Sequence, residues 1–334
     1  MRNSILRRLA VLPFLAFAVA TIVFVVLRIV PGNAVNAIAG QAASAEQRAI
    51  ITEELGLNDS LLVQYGKFLQ GTATLDPGVS FYSGESVNSR LFDVLPATIE
   101  LALASLVIML LVGLVTGVLA AAYRGRWIDA ALRLFATVFF SMPWFWLGTL
   151  LILLVGVQLE LLPTFGRLPA DVAYDPTTNF VLIDAVIQGR PDLIWPWLQH
   201  LILPAITVGL TTAGFVTRTT RASFVDTMSE DFVRTARMKG MTERQVFWRH
   251  IFRNSALPIL TIVGIQFGAL LGGAVVTEVV FAYPGVGRLL VDAISQRDYP
   301  IVQGAALAVA FLYILVNTLT DISYQFLDPR MRQR

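Results

Sequence analysis

The chain places the segment EDFVRTARMKGMTERQVFWRHIFRNSALPIL, from Glu230 to Leu260, between two long apolar runs. Its first 24 residues are crowded with cations, namely Arg234, Arg237, Lys239, Arg244, Arg249 and Arg253. A stretch this charged does not cross the hydrocarbon of a bilayer. The sequence therefore predicts membrane spans on either side. Between them it predicts a water-exposed loop, folded as short helices, that contacts another molecule.

The composition supports an integral membrane protein. Of 334 residues, 56% are hydrophobic and only 14% are charged, whereas about a quarter are charged in soluble domains. About 20 helical residues cross ~30 Å of hydrocarbon. Six apolar windows approach or exceed that length: Leu9–Leu27, Leu101–Tyr123, Leu134–Leu159, Leu201–Thr217, Ser255–Thr277 and Tyr299–Thr320. Because these runs are continuously apolar, we predict an all-α membrane domain rather than a β-barrel.

The basic residues predict the orientation. Six spans place both termini on one side, and that side carries 17 of the 25 basic residues but 7 of the 23 acidic ones. The positive-inside rule makes that side cytoplasmic in a multi-pass membrane protein. The prediction is one domain, 1–334, with external segments 31–95, 160–199 and 281–298 and a cytoplasmic loop 218–254. In the first external segment, Ser44 with Gln47 is expected to begin a helix that Gly56 ends.

Residues with catalytic chemistry are scarce. The chain lacks a Gly-rich phosphate-binding loop and cysteine, so it predicts neither an enzyme with its own nucleotide site nor a thiolate metal site. His200 and His250 have no metal-ligand spacing, and we expect structural roles for both. Arg28, Glu100, Glu278 and Asp321 all fall near span ends, where we expect interface anchoring. The scarcity of charge within the spans disfavours a proton-driven transporter.

The segment that begins at Glu230 is predicted to form two short helices joined by a turn. Glu230–Lys239 is predicted helical, Gly240 ends this helix, and Thr242 with Gln245 forms the capping box of the next. The apolar residues expected on this unit are Phe232, Val233, Met241 and Val246. A topology signal with lipid headgroup contacts needs only two or three arginines. The capped helices therefore favour docking into a groove of a soluble partner.

The segment resembles the EAA region of binding-protein-dependent ABC importer permeases, which forms the coupling helix that seats in the ATPase subunit. The usual form has Glu-Ala-Ala, three residues, Gly, nine residues and Ile-x-Leu-Pro. Here the first triplet is Arg234-Thr235-Ala236, and Leu257-Pro258 comes five residues late. These departures are similar to the peptide branch, which the residues from Phe232 to Gly240, Arg249-His250, Arg253-Asn254 and Pro258 match.

The resemblance extends along the chain. It includes Arg28-Ile-Val-Pro31-Gly32-Asn33, Leu55-Gly-Leu with Val63-Gln64-Tyr65, the stretch from Leu95 to Leu101, Ser141-Met-Pro143-Trp-Phe145-Trp146-Leu147-Gly148, the stretches from Phe281 to Leu289 and Arg297 to Pro300, and Asp328-Pro329-Arg330. Asn33 stands where the family usually has Asp. Six motifs in order, at the right spacing, identify a relative of the B-type permeases of dipeptide, oligopeptide and nickel importers.

The resemblance implies a type I ABC importer permease of the bacterial inner membrane, with six transmembrane helices, both termini in the cytoplasm and a cytoplasmic coupling helix. Its implied partners are a second, C-type permease, two ATPase subunits that hold ATP and Mg, a solute-binding protein, a short peptide and membrane lipid, with no nucleic acid and no cofactor of its own. The implied ATPase-coupling residues are Glu230, Asp231, Phe232, Arg234, Thr235, Ala236, Arg237, Lys239, Gly240 and Met241. Those implied at the external loop, for contact with binding protein and solute, are Tyr283, Pro284, Gly285, Gly287, Arg288, Arg297 and Asp298.

Several alternatives stay open. Nickel chelates, glutathione or oligosaccharides are alternative cargoes of the same importer type. A stand-alone channel or secondary transporter would need no soluble partner, and a sensor or scaffold subunit would be expected to carry a fused output domain. The loop 281–298 is longer than a plain connector requires, yet it could simply pack the fifth span against the sixth.

Overall fold

The computed structural model describes residues 2–29, 35, 44–54 and 56–327, with side chains at 13–29, 35, 44–50, 52, 53 and 56–318. Some features predicted from the sequence fall elsewhere. The Pro31-Gly32-Asn33 motif, Leu55 and the end Asp328-Pro329-Arg330 lie outside the described residues, as does the side chain of Asp321.

The described part of the chain consists of helices and their connections, and it contains no named strand. The helices are α1 (Arg2–Ile29), α2 (Ala45–Glu54), α3 (Leu61–Thr74), α4 (Val87–Ala122), α5 (Trp127–Ser141), α6 (Trp144–Leu151), α7 (Val181–Ile187), α8 (Ile194–Ser229), α9 (Asp231–Met238), α10 (Glu243–Val246), α11 (Arg253–Val280), α12 (Val286–Gln296) and α13 (Tyr299–Leu327). Two π-helical stretches, Ile152–Gln158 and Phe247–Phe252, continue α6 and α10. The all-α prediction is confirmed.

The predicted spans correspond to helices of the structure. Four described runs are long and apolar enough to cross a bilayer, Val87–Ala122, Pro191–Ser229, Glu243–Val280 and Tyr299–Thr318, and the bent pair α5 and α6 provides a fifth. Helix α1 is also apolar, over Pro13–Ile29, but that stretch is shorter than the spans above. We call the end of this bundle that carries residues 231–246 the hairpin end, and the end that carries residues 281–298 the loop end.

The third span is not the continuous helix that the run Leu134–Leu159 predicts. Helix α5 stops at Ser141, α6 starts at Trp144, and the two axes differ by 103°. Proline causes the break, because Pro143 lacks a backbone N–H and disfavours helical dihedrals in the residue before it. Met142 is accordingly extended, with φ −82° and ψ 127°.

Several helices also extend beyond the apolar runs that predicted them. Helix α4 already begins at Val87, inside the segment 31–95 that was predicted to be external. Helix α8 continues to Ser229, so the predicted loop 218–254 contains the end of α8 and the start of α11. Apolar length marks the part of a helix that lies in hydrocarbon, whereas the helical hydrogen bonds continue into the polar flanks.

Helix α8 is the centre of the bundle. Within its most apolar 18-residue window 78% of residues are buried, against 33% for α4 and for α13. Glycines bring α4 and α8 together, because a Cβ on Gly113 would lie 2.6 Å from the Val216 Cβ and one on Gly117 would lie 2.5 Å from the Thr220 Cβ. Small residues four apart are typical of close helix contacts in membranes.

The loop end carries the helices that lie before the second span. Helix α2 has the predicted capping box, since Ser44 N donates to Gln47 Oε1 (2.9 Å) and Gln47 N to Ser44 Oγ (3.1 Å). Gly56 follows it with φ +63°. Helix α3 packs on α1 through Phe24 and Tyr65, whose ring centroids are 5.1 Å apart. Thus α1 ends, and α13 begins, at the loop end.

Candidate functional site

Helices α9 and α10 form a hairpin at residues 231–246, as the capping signals predict. Gly240 has φ +78°, in the left-handed region that glycine adopts without a steric penalty. Thr242 Oγ1 accepts a hydrogen bond from Gln245 N (3.4 Å), and Gln245 Oε1 accepts one from Thr242 N (3.1 Å). The first helix is one residue shorter at each end than predicted, with Glu230 as its N-cap and Lys239 as its C-cap.

The inner face of the hairpin is fixed to the ends of α8 and α11. Val233 and Val246 are both 0% exposed and belong to one cluster with Phe224. Two of the apolar residues expected on this unit, Val233 and Val246, therefore lie inside the protein and leave the docking surface to other side chains. Burying side chains of this size stabilises the hairpin by about 1.5–3 kcal/mol each, so the hairpin is firmly attached to the bundle.

The outer face is a compact, mixed surface. Phe232 is 41% exposed and Met238 is 76% exposed. Arg237 donates two hydrogen bonds across the hairpin to Glu243, from Nε to Oε1 (2.9 Å) and from Nη2 to Oε2 (3.2 Å). Exposed Met and Phe side chains beside cations are a surface that fits a soluble protein. Met238 was not among the predicted coupling residues, although it lies five residues after Val233 on the opposite side of α9.

The other predicted coupling residues fall on or beside this outer face. Those that are exposed are Glu230, Asp231, Phe232, Arg234, Thr235, Arg237, Lys239 and Gly240. Met241 is half-buried and Ala236 is buried in the inner cluster. Among the predicted coupling residues, Ala236 therefore packs inside the hairpin and presents no side chain to the outer face.

A buried carboxylate connects the hairpin end to the broken span. Asp129, in the first turn of α5, is 1% exposed and accepts hydrogen bonds from Arg221 Nε (2.7 Å) and Nη2 (2.8 Å). Gly125 N, in the preceding turn, donates to its other oxygen, Oδ2 (3.0 Å). Because Arg221 lies on α8 close to the hairpin, the start of α5 is held to the same body as the hairpin.

At the loop end, a second buried carboxyl group organises the connection between α11 and α13. Glu278 is 0% exposed. Its Oε2 accepts hydrogen bonds from Gly287 N (2.7 Å) and Arg288 N (3.1 Å), and its Oε1 accepts one from Thr98 Oγ1 (2.7 Å). Val286 N in turn donates to Thr98 Oγ1 (2.8 Å). Glu278 thereby supplies acceptors for the first N–H groups of α12, which have no partner within their own helix.

The predicted loop residues fall in two groups. Tyr283, Gly285, Gly287 and Asp298 are buried, while Arg288 and Arg297 are half-buried and Pro284 is exposed. Asp298 accepts hydrogen bonds from Ser80 Oγ and from Phe81 N, so it holds the segment before α4. A Cβ on Gly285 would lie 2.2 Å from the Glu278 carboxyl carbon, which explains a glycine there. Much of the loop is therefore interior structure.

A third cluster lies between α4 and the segment before α8. Glu100 is 8% exposed and pairs with Arg167, whose Nε and Nη2 lie 3.0 and 2.6 Å from Oε2. Trp197 Nε1 (3.0 Å) and Val181 N (2.8 Å) also donate to this carboxylate. The interpretation of Glu100 and Glu278 as interface anchors is therefore wrong, because both are interior hydrogen-bond acceptors.

Asp184 holds the external segment 160–199 together through several hydrogen bonds. Its carboxylate accepts hydrogen bonds from Tyr174 OH (2.6 Å), Thr178 N (2.8 Å), Thr178 Oγ1 (2.7 Å) and Thr177 N (3.2 Å). Burial alone would raise the pKa of Asp184, but the hydrogen bonds from Tyr174 and Thr178 outweigh it and hold that pKa below its usual value. The segment 160–199 is consequently an ordered part of the fold.

In the described part of the chain, no three His, Asp or Glu side chains are grouped in a way that could hold a metal ion. His200 is 8% exposed, and its Nδ1 lies 2.8 Å from the carbonyl oxygen of Pro196 on its own helix. The His250 ring lies 6.4 Å from that of Phe232. The two predicted structural histidines thus lie at opposite ends of the bundle, and the hairpin remains the candidate site.

Comparison with known proteins places the whole chain in one family. A family model described as binding-protein-dependent transport system inner membrane component matches residues 113–333, and one for the N-terminal part of such components matches residues 1–102. The dipeptide transport system permease protein DppB of Escherichia coli K12 is 39% identical, with 100% of each chain covered. The di/tripeptide transport system permease protein DppB of Pseudomonas aeruginosa is also 39% identical over 100% of each chain, and the dipeptide permease protein DppB of Alkalihalophilus pseudofirmus is 36% identical over 98% of each.

A solved structure shares the fold. The inward-facing MetNI methionine ABC transporter matches with a TM-score of 0.52 at 14% identity, over 70% of this chain and 93% of that chain. Together with the family models, the fold and the near full-length relatives establish a multi-pass inner membrane permease subunit, which performs no ATP hydrolysis itself. The chain belongs to the family of binding-protein-dependent transport system inner membrane components.

Proposed function

We propose that this chain forms half of the translocation pathway for short peptides in an ATP-driven importer that works by alternating access. The other half comes from a second, C-type permease, with two ATPase subunits below and a solute-binding protein above. The observation that carries the proposal is the hairpin 231–246. Its inner face is buried against α8 and α11, while Phe232, Met238 and neighbouring cations remain exposed on its outer face.

The hairpin would couple nucleotide binding to the pathway mechanically. When ATP brings the ATPase subunits together, a groove holding the outer face of α9 would carry the hairpin with it. The buried contacts of Val233, and the pairing of Asp129 with Arg221, would transmit that movement to α8 and to the start of α5. No proton or metal chemistry is required of this chain.

The distribution of basic residues supports the direction of transport. The hairpin end carries the described cations of the α4–α5 turn, the end of α8 and the hairpin itself. Because the side richer in Lys and Arg faces the cytoplasm, the hairpin and both termini would be cytoplasmic. The loop end would then receive solute from a binding protein.

Peptide cargo is supported by the names of the relatives, which are dipeptide or di/tripeptide permeases. Nickel chelates, glutathione and oligosaccharides remain the alternative cargoes, and a stand-alone channel or secondary transporter is the alternative of another class. An exposed face on a capped hairpin favours the ATP-driven system, because a stand-alone transporter has no use for it.

The external loop would contact the binding protein through a smaller surface than the sequence predicts. Tyr283, Gly287 and Asp298 are buried, which leaves Pro284, the partly exposed Arg288 and the outer side of α12. A cross-linker at Pro284 in the complete importer should trap the binding protein in the ATP-bound state. Cross-linking to the binding protein that is equally strong without ATP, or no cross-linking at all, would refute this contact.

Gly240 offers a matched test of coupling. Gly240 and Gly189 have φ +78° and +65°, and neither has an atom within 4 Å of where a Cβ would lie. Valine at either position therefore imposes similar backbone strain, about 1–2 kcal/mol, in two exposed turns. Gly240→Val is expected to reduce solute-stimulated ATP hydrolysis and uptake together, while Gly189→Val leaves both largely intact.

Assembly must be measured alongside. A cysteine at Met238 should cross-link to an ATPase subunit in the wild-type background, and a cysteine at Val138, an exposed position on α5, should not. Equal loss of activity in the Gly240 and Gly189 variants, or the absence of a Met238 cross-link in an active complex, would refute docking through this face.

A further inference from the structure

A cavity of about 380 Å³ opens beside the break between α5 and α6. Phe140 and Trp144 line it from the two sides of the break, Thr211 and Phe215 from α8, and Gln266 and Ala269 from α11. Thr211 and Gln266 each lie near the middle of a helix that crosses the bilayer. With a rise of about 1.5 Å per residue, the cavity therefore lies near the bilayer midplane.

Gln266 is the unusual side chain in this cavity. The residue is 6% exposed, and no hydrogen bond joins its amide to another residue that the structure describes, although the amide is not among the fully enclosed polar groups. The Thr211 hydroxyl, by contrast, donates to carbonyl oxygens of its own helix at 3.1 and 2.9 Å. An amide without a partner in a hydrocarbon-like interior is unfavourable, so Gln266 is available to a polar group that enters the cavity.

The lining indicates which polar group fits. None of the cavity residues carries a charge, and the rings of Phe140 and Phe215 pack with centroids 4.4 Å apart. A carboxamide offers one acceptor and two donors, which complement the N–H and C=O of a peptide group. Aromatic walls accept apolar side chains without selecting a charge, which suits cargo whose side chains vary.

We infer that this cavity is this chain's part of the solute path, and that the Gln266 amide hydrogen-bonds the backbone peptide groups of the passing solute. Substrate sites of transporters commonly lie at the midplane beside discontinuous helices, and the 103° break at Pro143 provides one here. The inference rests on the proposed function, since it assumes that peptides cross between this chain and its partner permease.

The first test measures whether water reaches the cavity. The chain contains no cysteine, so a single introduced thiol reports its own position. In the complete importer, Ala269→Cys should react with a charged, water-soluble methanethiosulfonate, and peptide-loaded binding protein with ATP should slow that reaction. Ile265→Cys, on the exposed side of the same helix, should not react. An unreactive Ala269→Cys in every nucleotide state would overturn the inference.

The second test removes the amide. Gln266→Leu should lower dipeptide uptake about tenfold, as expected for the loss of one amide hydrogen bond, and Gln266→Asn should restore part of it. Thr261→Val, on the exposed face of α11, should leave uptake unchanged. Equal uptake by wild type and Gln266→Leu overturns the inference alone, whereas a wild-type complex that imports no peptide overturns the proposed function itself.

Discussion

Glu278 provides the sharpest prediction about the loop end, because one carboxyl group supports the start of α12. In Glu278→Ala, Gly287 N and Arg288 N lose their acceptor while the surrounding structure stays buried. A buried donor without a partner costs about 1–3 kcal/mol, so two donors cost about 4 kcal/mol. We therefore expect local unfolding of α12 to become easier by that amount.

Hydrogen–deuterium exchange of residues 286–296 in the purified importer measures this directly. Since 1.4 kcal/mol corresponds to a factor of ten, a loss of about 4 kcal/mol predicts exchange roughly a thousandfold faster. Glu278→Gln keeps one acceptor oxygen and should lie between wild type and alanine. Glu85→Gln, which alters an exposed carboxylate at the same end, should change nothing. Unaltered exchange in Glu278→Ala would refute the capping role.

Three further predictions test other contacts. Gly117→Leu should push α4 away from α8 and prevent folding, since even a Cβ there lies 2.5 Å from the Thr220 Cβ, whereas Gly272→Leu, with open space, should be tolerated in thermal unfolding. Arg167→Met should leave Glu100 buried without its cation and cost about 3–5 kcal/mol, seen as a lower melting temperature that Glu100→Gln in the same chain partly restores. The folded-state pKa of Asp184 is depressed, so the ionised carboxylate stabilises the folded protein at pH values above the unfolded pKa of about 3.9. This stabilisation is lost as the pH falls through the folded pKa. An Asp184→Asn chain should therefore lack that acid-dependent component of the melting temperature.

The sequence was sufficient for the membrane class and for the hairpin. Continuous apolar runs leave helices as the reasonable solution in lipid, and local signals determined the turn at Gly240 and the capping box at Thr242. These features depend on residues close in sequence. Which side of α9 faces inward depends on Phe224 and on the cluster around it, so Val233 and Met238 could not be assigned from local sequence alone.

The break in the third span shows a second limit. Pro96, Pro204 and Pro258 all lie inside continuous helices, while Pro143 separates α5 from α6. Neighbouring helices can satisfy the backbone groups that a proline frees, so tertiary packing decides which prolines break a helix. The motif around Pro143 was visible in the sequence, but the 103° bend was not.

The buried acids were the largest omission. Glu100 and Glu278 lie near the ends of apolar runs, which resembles interface anchoring in sequence. Their partners, Arg167 and the N–H groups of Gly287 and Arg288, are distant in sequence or belong to the backbone. A glutamate near a span end therefore cannot be assigned from spacing alone, because its environment depends on how external segments fold back.

The central claim is that this chain imports peptides only as part of an ATP-driven complex. The most direct measurement is uptake of a labelled dipeptide into proteoliposomes containing this chain, its partner permease and the ATPase subunits, with binding protein outside and ATP inside. The account predicts uptake that requires ATP, the binding protein and the ATPase subunits together. Uptake of the same dipeptide by this chain alone, without ATPase subunits, would contradict it and identify a channel or secondary transporter.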